Sequence, residues 1–67
     1  MVMAEIIDLL IKMFEIRLVS SSSPQLIFTT ARPSAADAEN YARRLLDRHT
    51  EFECAEIWCG MQHLRTA

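Results

Sequence analysis

Cys54, Cys59, His63 and His49 are the side chains here best suited to hold a metal or attack a substrate. The first three read C-x4-C-x3-H, and His49 is a candidate fourth ligand. Structural zinc takes four such ligands in a tetrahedron, so the residue types fit although the spacing is not that of a zinc knuckle. Cys54, His63 and Glu56 form a second set: a nucleophile, a base and a carboxylate to orient the base. Both sets depend on which sheet face each side chain occupies.

The stretch AEIWCG (55–60) reads as a strand, in which successive side chains point to opposite faces. Cys54 and Cys59 are separated by an odd spacing and fall on opposite faces, which also disfavours a disulfide between them. Gly60-Met61 fits a two-residue type II′ turn, which wants glycine first. That turn pairs Cys59 with Gln62, Trp58 with His63, Ile57 with Leu64 and Glu56 with Arg65. One face then carries Ala55, Ile57, Cys59 and Leu64, and the other Cys54, Glu56, Trp58, His63 and Arg65. Cys59 is thereby turned away from Cys54 and His63. Cys54, paired near Ala67, lies well along the strand from His63, and no glycine-rich loop offers an oxyanion hole. The expectation is a chain that is not an enzyme and has no metal site and no cofactor. Cys59 is read as a core thiol, and His63 as a surface histidine stacked on Trp58.

The strands and helices that would carry these residues belong to one domain, 1–67, because 67 residues make no more than one. A chain this short buries only about 60% of its unfolded surface and often needs a disulfide, a metal or a partner subunit. Two cysteines are too few for a disulfide framework and are read as reduced thiols in a cytoplasmic protein. The chain is 51% hydrophobic and 24% charged, with a formal net charge of −2. That is ordinary for a globular protein. It argues against a protein whose main task is to hold a phosphate backbone.

Residues 3–12 read as a helix with one narrow polar stripe, Glu5, Asp8 and Lys12. Ile6, Ile7, Leu9, Leu10, Ile11 and Met13 fill the rest, so such a helix must be buried on more than one side. It has neither the basic flank of a signal peptide nor the length of a membrane span, and the expectation is no membrane. Met3 and Met13 are further candidate starts, and Met13 would make residues 1–12 an extension. FEIRLVS (14–20) alternates as a half-buried strand, SSSSP (20–24) is a loop, and QLIFTTAR (25–32) is a second strand. Their hairpin pairs Leu18 with Leu26 and Ile16 with Phe28, keeping the apolar sets on one face and leaving Val19 and Ile27 on the other.

RPSAADAENYARRLLDRHT (32–50) is the main helix, with Ser34 as N-cap and Asp37 at the capping-box position. Ala38, Tyr41, Ala42, Leu45 and His49 form its inward stripe, and Glu39 to Arg43 is a favourable i, i+4 pair. The order is (α)-β-β-α-β-β, an α+β domain with a small, mostly antiparallel sheet and one main helix on one face.

The stretch ADAENYARRLLDRHTEFECAEIWCGMQHLRTA (36–67) resembles the C-terminal half of a loose group of very short, uncharacterised bacterial hypothetical proteins. These end in an Ala-rich helix, a Glu-Ile/Val-Trp-x-Gly motif and a final strand; the motif here is Glu56 to Gly60. The resemblance implies the C-terminal hairpin and carries no function. Members of that group begin close to the first strand, so the N-terminal helix is a departure from them.

The Trp58 face, with Val19 and Ile27 near it if the hairpins share a sheet, is apolar enough to need cover, either by the N-terminal helix of the same chain or by a second subunit. The expected function is a small oligomeric protein-interaction module, a homodimer with room for another protein partner. Ile6, Ile7, Leu10, Ile27, Trp58 and His63 are its expected interface residues, tryptophan being a common anchor. The alternative is a single-stranded nucleic-acid binder that uses Trp58, His63, Arg43, Arg44 and Arg48. Glu39, Asp47, Glu53 and Glu56 dilute that charge, which places nucleic acid second.

Overall fold

A computed structural model of the chain describes residues 11–67. Four strands and one helix follow in the order β1 (Lys12–Val19), β2 (Leu26–Arg32), α1 (Ala35–Arg48), β3 (Cys54–Cys59) and β4 (Gln62–Thr66). The strands form one antiparallel sheet in the order β2-β1-β3-β4, so the two hairpins meet along β1 and β3. This is the expected α+β architecture.

β1 is central because its alternation supplies the core. Phe14, Ile16 and Leu18 are buried under α1, while Glu15 and Arg17 point the other way. The first hairpin has the expected register, with Ile16 opposite Phe28 and Leu18 opposite Leu26. The expected helix over 3–12 is corrected at its end. Ile11 precedes β1, and Lys12 opens the strand by pairing with Arg32. Helix periodicity is overridden there by ladder hydrogen bonds to a strand far along the chain, a tertiary effect that local pattern does not register. The rest of that expected helix, with Ile6, Ile7 and Leu10, lies outside the described residues.

The helix expected over 32–50 is trimmed to Ala35–Arg48, because Arg32 ends β2 and Ser34 caps the helix. The Ser34 hydroxyl oxygen accepts from the Asp37 amide at 3.3 Å. Asp37 does not reach back to the capping amide as glutamate would. Its shorter carboxylate accepts from the Ser34 hydroxyl at 2.9 Å instead. Ala38, Ala42 and Leu45 are buried as expected, and Tyr41 and His49 are half-buried at the edges of the stripe. With Phe52, Ala55 and Ile57 they complete the core against β1.

The second hairpin turns at Gly60, whose φ is +61°, while Met61 keeps a negative φ. This rules out the type I′ turn, which needs positive φ at both positions, and fits type II′. Cys59–Gln62 and Trp58–His63 pair as expected, and then the register shifts. Ile57 faces Arg65 and Glu56 faces Thr66, so Leu64 is a bulge residue without a partner in the ladder. The expected pairs Ile57–Leu64 and Glu56–Arg65 are thus corrected. Ala67 pairs with Ala55 rather than Cys54, through backbone bonds of 2.7 and 3.3 Å. The extra residue moves Leu64 out of the core face, to 36% exposure, and turns Arg65 to the helix side. There Arg65 donates to Glu39 at 2.9 Å, and Arg43 binds the other oxygen of the same carboxylate. The Glu39 carboxylate is available only on the helix side, and it rewards the shift.

Candidate functional site

The outer face of the sheet, opposite α1, is built from the alternate residues of each strand. β1 contributes Met13, Glu15, Arg17 and Val19, β2 contributes Ile27 and Thr29, and β3 contributes Cys54, Glu56 and Trp58. β4 contributes His63, across from Trp58. Trp58 and His63 stack with ring centroids 5.1 Å apart and planes inclined by 21°. From the strand on the other side, the guanidinium carbon of Arg17 lies 4.1 Å from the centroid of the Trp58 ring. The indole thus has an imidazole from β4 and a guanidinium from β1 against it, the second a cation–π contact.

Hydrogen bonds hold this row in place. The Trp58 indole N–H donates to Glu56 at 3.0 Å, and Arg17 donates to Glu15 at 3.1 Å. His63 Nε2 faces the Arg65 carbonyl oxygen at 2.9 Å and Thr66 Oγ1 at 3.0 Å. A carbonyl only accepts, so that nitrogen carries the proton when it bonds there. Arg17 Nε is buried without a partner among the described residues. The expected stacking of His63 on Trp58 is present. Trp58 is not beside Ile27, however. Ile27 lies on β2, two strands away, and faces Arg17 across the ladder. The apolar part of the face is therefore displaced toward β2, where Met13 and Ile27 are 62% and 53% exposed.

In the second set read from the sequence, Glu56 accepts from Trp58, and His63 Nε2 faces Arg65 and Thr66. Cys54 and Cys59 are free thiols on opposite faces of β3. His49 is on the core side, against Phe28 at 5.8 Å and Phe52 at 6.4 Å. Among the described residues no group of three or more His, Cys, Asp and Glu could hold a metal ion. No helix among them is long and apolar enough to cross a membrane.

The arginines divide into two groups. Arg17, Arg43 and Arg65 form ion pairs with Glu15 and Glu39. Arg32, Arg44 and Arg48 form none among the described residues, and all three line an open groove of about 160 Å³ with Tyr41 and Leu45. This groove lies on the α1 side, between the helix and the end of β2. The helix arginines and the Trp58 row are therefore on opposite sides of the sheet, and the combined surface expected of a nucleic-acid binder is divided in two.

Reading by alternation found Trp58 and His63 and missed Arg17, since it did not supply the β1–β3 neighbourhood. Phe52 was missed as a core residue as well. Its only signal is one aromatic between two glutamates just after the helix. No family model, no curated protein and no solved structure matches this chain.

Proposed function

We propose that the chain is a small protein-interaction module without catalytic activity, and that two copies pair through the outer face of the sheet. The observation that carries this reading is the apolar margin of Met13 and Ile27, exposed among the described residues, beside the Arg17–Trp58–His63 row. The core adds support. Three of its nine residues are alanines. A core that thin in a chain of 67 residues benefits from area buried by a partner. Face-to-face packing of two sheets, about 10 Å apart, is the ordinary way to bury such a face. The same reading places the protein in the cytoplasm, where Cys54 and Cys59 remain thiols.

Support for a non-catalytic role is geometric. The hydroxyl found beside His63 is that of Thr66, on an exposed edge strand. The nucleic-acid reading has less support. Bases need an open aromatic face to stack on, whereas Arg17 and His63 already lie against Trp58.

Native mass spectrometry of the full chain tests the proposal, with sedimentation velocity as the solution check. The expected result is a dimer without adduct that becomes a monomer in Ile27→Glu. A bare monomer at every concentration would remove the proposal, and a zinc-sized adduct would replace it with a metal site.

A further inference from the structure

We infer that the groove lined by Arg32, Tyr41, Arg44, Leu45 and Arg48 binds the terminal phosphoryl group of a small phosphorylated ligand. It lies on the helix side of the sheet and does not depend on the dimer proposed above.

The chain has six arginines and a net charge of −2, so no general excess of positive charge explains a basic cluster. Three arginines are paired with carboxylates. The three without an ion pair among the described residues converge on this groove, and no described acid lines it. Arg44 and Arg48 are one turn apart on α1, and Tyr41 and Leu45 complete the same helix face at i, i+3, i+4 and i+7. Arg32 reaches in from the end of β2, its guanidinium carbon 4.8 Å from the centroid of the Tyr41 ring. Its Nε donates to Thr30 Oγ1 at 2.9 Å, which leaves the terminal nitrogens for a ligand. The guanidinium fork matches two phosphate oxygens at once, and a dianionic phosphoryl group can engage several forks.

Position on the helix explains only part of this. Arg48 in the last turn complements the helix dipole. Arg44 and Arg32 have no such reason. The end of the helix itself repels anions, so the attraction must come from the side chains.

The size of the groove narrows the ligand. Its volume is about 160 Å³. Pockets for drug-sized ligands begin at roughly 300 Å³. The groove takes a phosphoryl or diphosphoryl group and leaves the rest of the molecule in solvent. A nucleic-acid backbone fits less well, because it needs a track of positive charge, and Glu39 already occupies Arg43 and Arg65.

The test is calorimetric titration of the full chain with inorganic pyrophosphate at low ionic strength, repeated at high salt. Saturable binding is expected, weakened by salt and by at least about tenfold in R44Q/R48Q, the scale of one lost charge-assisted hydrogen bond. R43Q, whose arginine is on the same helix but paired with Glu39, should bind like the parent chain. Arg44 and Arg48 are exposed, so the double variant should keep its circular dichroism; if it does not, the single variants R44Q and R48Q take its place. In phosphorus NMR the pyrophosphate line should broaden with the parent chain and not with the variant. No saturable binding, or an equal loss in R43Q, overturns the inference. An oligothymidylate that displaces pyrophosphate at a lower phosphate concentration than pyrophosphate itself requires overturns the terminal-phosphoryl assignment.

Discussion

Arg17 gives up part of its hydration to lie over Trp58, and its Nε is buried without a partner among the described residues. That cost is tolerable only while the indole and Glu15 remain in place. Cation–π contacts of partly desolvated arginines contribute about 0.5 to 2 kcal/mol. Arg17→Ala is therefore expected to lower the urea-unfolding free energy by about 1 kcal/mol and to shift Trp58 emission to the red as water reaches the ring. An emission spectrum that does not move would show that Arg17 does not shield the indole.

Glu39 is the second residue whose environment sets its chemistry. The hydrogen bond from Arg65 holds its carboxyl below the usual carboxylate range against the opposing effect of desolvation, and the charges of Arg43 and Arg65 add to this. The folded chain thus binds this proton less readily than the unfolded chain. The resulting stability is fully present above the unfolded value and is lost as pH falls through the folded one. Arg65→Met should move Glu39 back toward its ordinary value, as read by NMR titration of its side-chain carbon. An unchanged titration would mean that the Arg65 bond does not persist in solution.

Among the elements, the β3–β4 hairpin is both the most legible part of the sequence and the part most revised. A glycine-first turn, an aromatic pair and a short strand are all readable, because turn geometry and pairing near a turn are local. The bulge at Leu64 is not readable. Its advantage comes from Arg65 reaching Glu39 on another element. Since Leu64 is surplus to the ladder, deleting it should leave the pairs Trp58–His63 and Ile57–Arg65 intact. The expected loss is below about 2 kcal/mol, smaller than the cost of most core truncations. Urea unfolding and the Arg65–Glu39 contact in the NMR spectrum are the checks, and a chain that fails to fold would show that the bulge itself is required. The turn invites a second test. Gly60 has a φ of +61°, strained for any residue with a Cβ even though the space around it is open. Gly60→Ala should therefore cost about 1 kcal/mol. A variant as stable as the parent would mean that the turn can change type.

For the molecule as a whole, stability rests on few groups. Ile57 is fully buried between β1 and α1. Ile57→Ala should cost about 2 to 5 kcal/mol, comparable with the roughly 3 to 5 kcal/mol that one small core supplies. Circular dichroism should therefore find the variant largely unfolded at low concentration. If two copies pair through the outer face, the thermal midpoint of the parent chain should rise with concentration, since association stabilises only the folded form. A midpoint independent of concentration would argue for a monomer.

Preferences between near neighbours account for everything that was legible before the fold was known. Alternation marks β1, β-branched and aromatic residues mark β2, Ser34 marks the start of α1, Gly60 marks the turn, and the period of α1 places Ala38, Ala42 and Leu45 inward. Each is a steric or hydrogen-bonding preference acting over a few residues. The strand order, which puts Arg17 rather than Ile27 against Trp58, emerges only in the folded sheet, as does the bulge that carries Arg65 to Glu39. The same is true of which arginines are paired and which line the groove. These outcomes turn on contacts between residues far apart in the chain. There, competing pairings differ by single ion pairs or stacked rings, and no local pattern carries that difference.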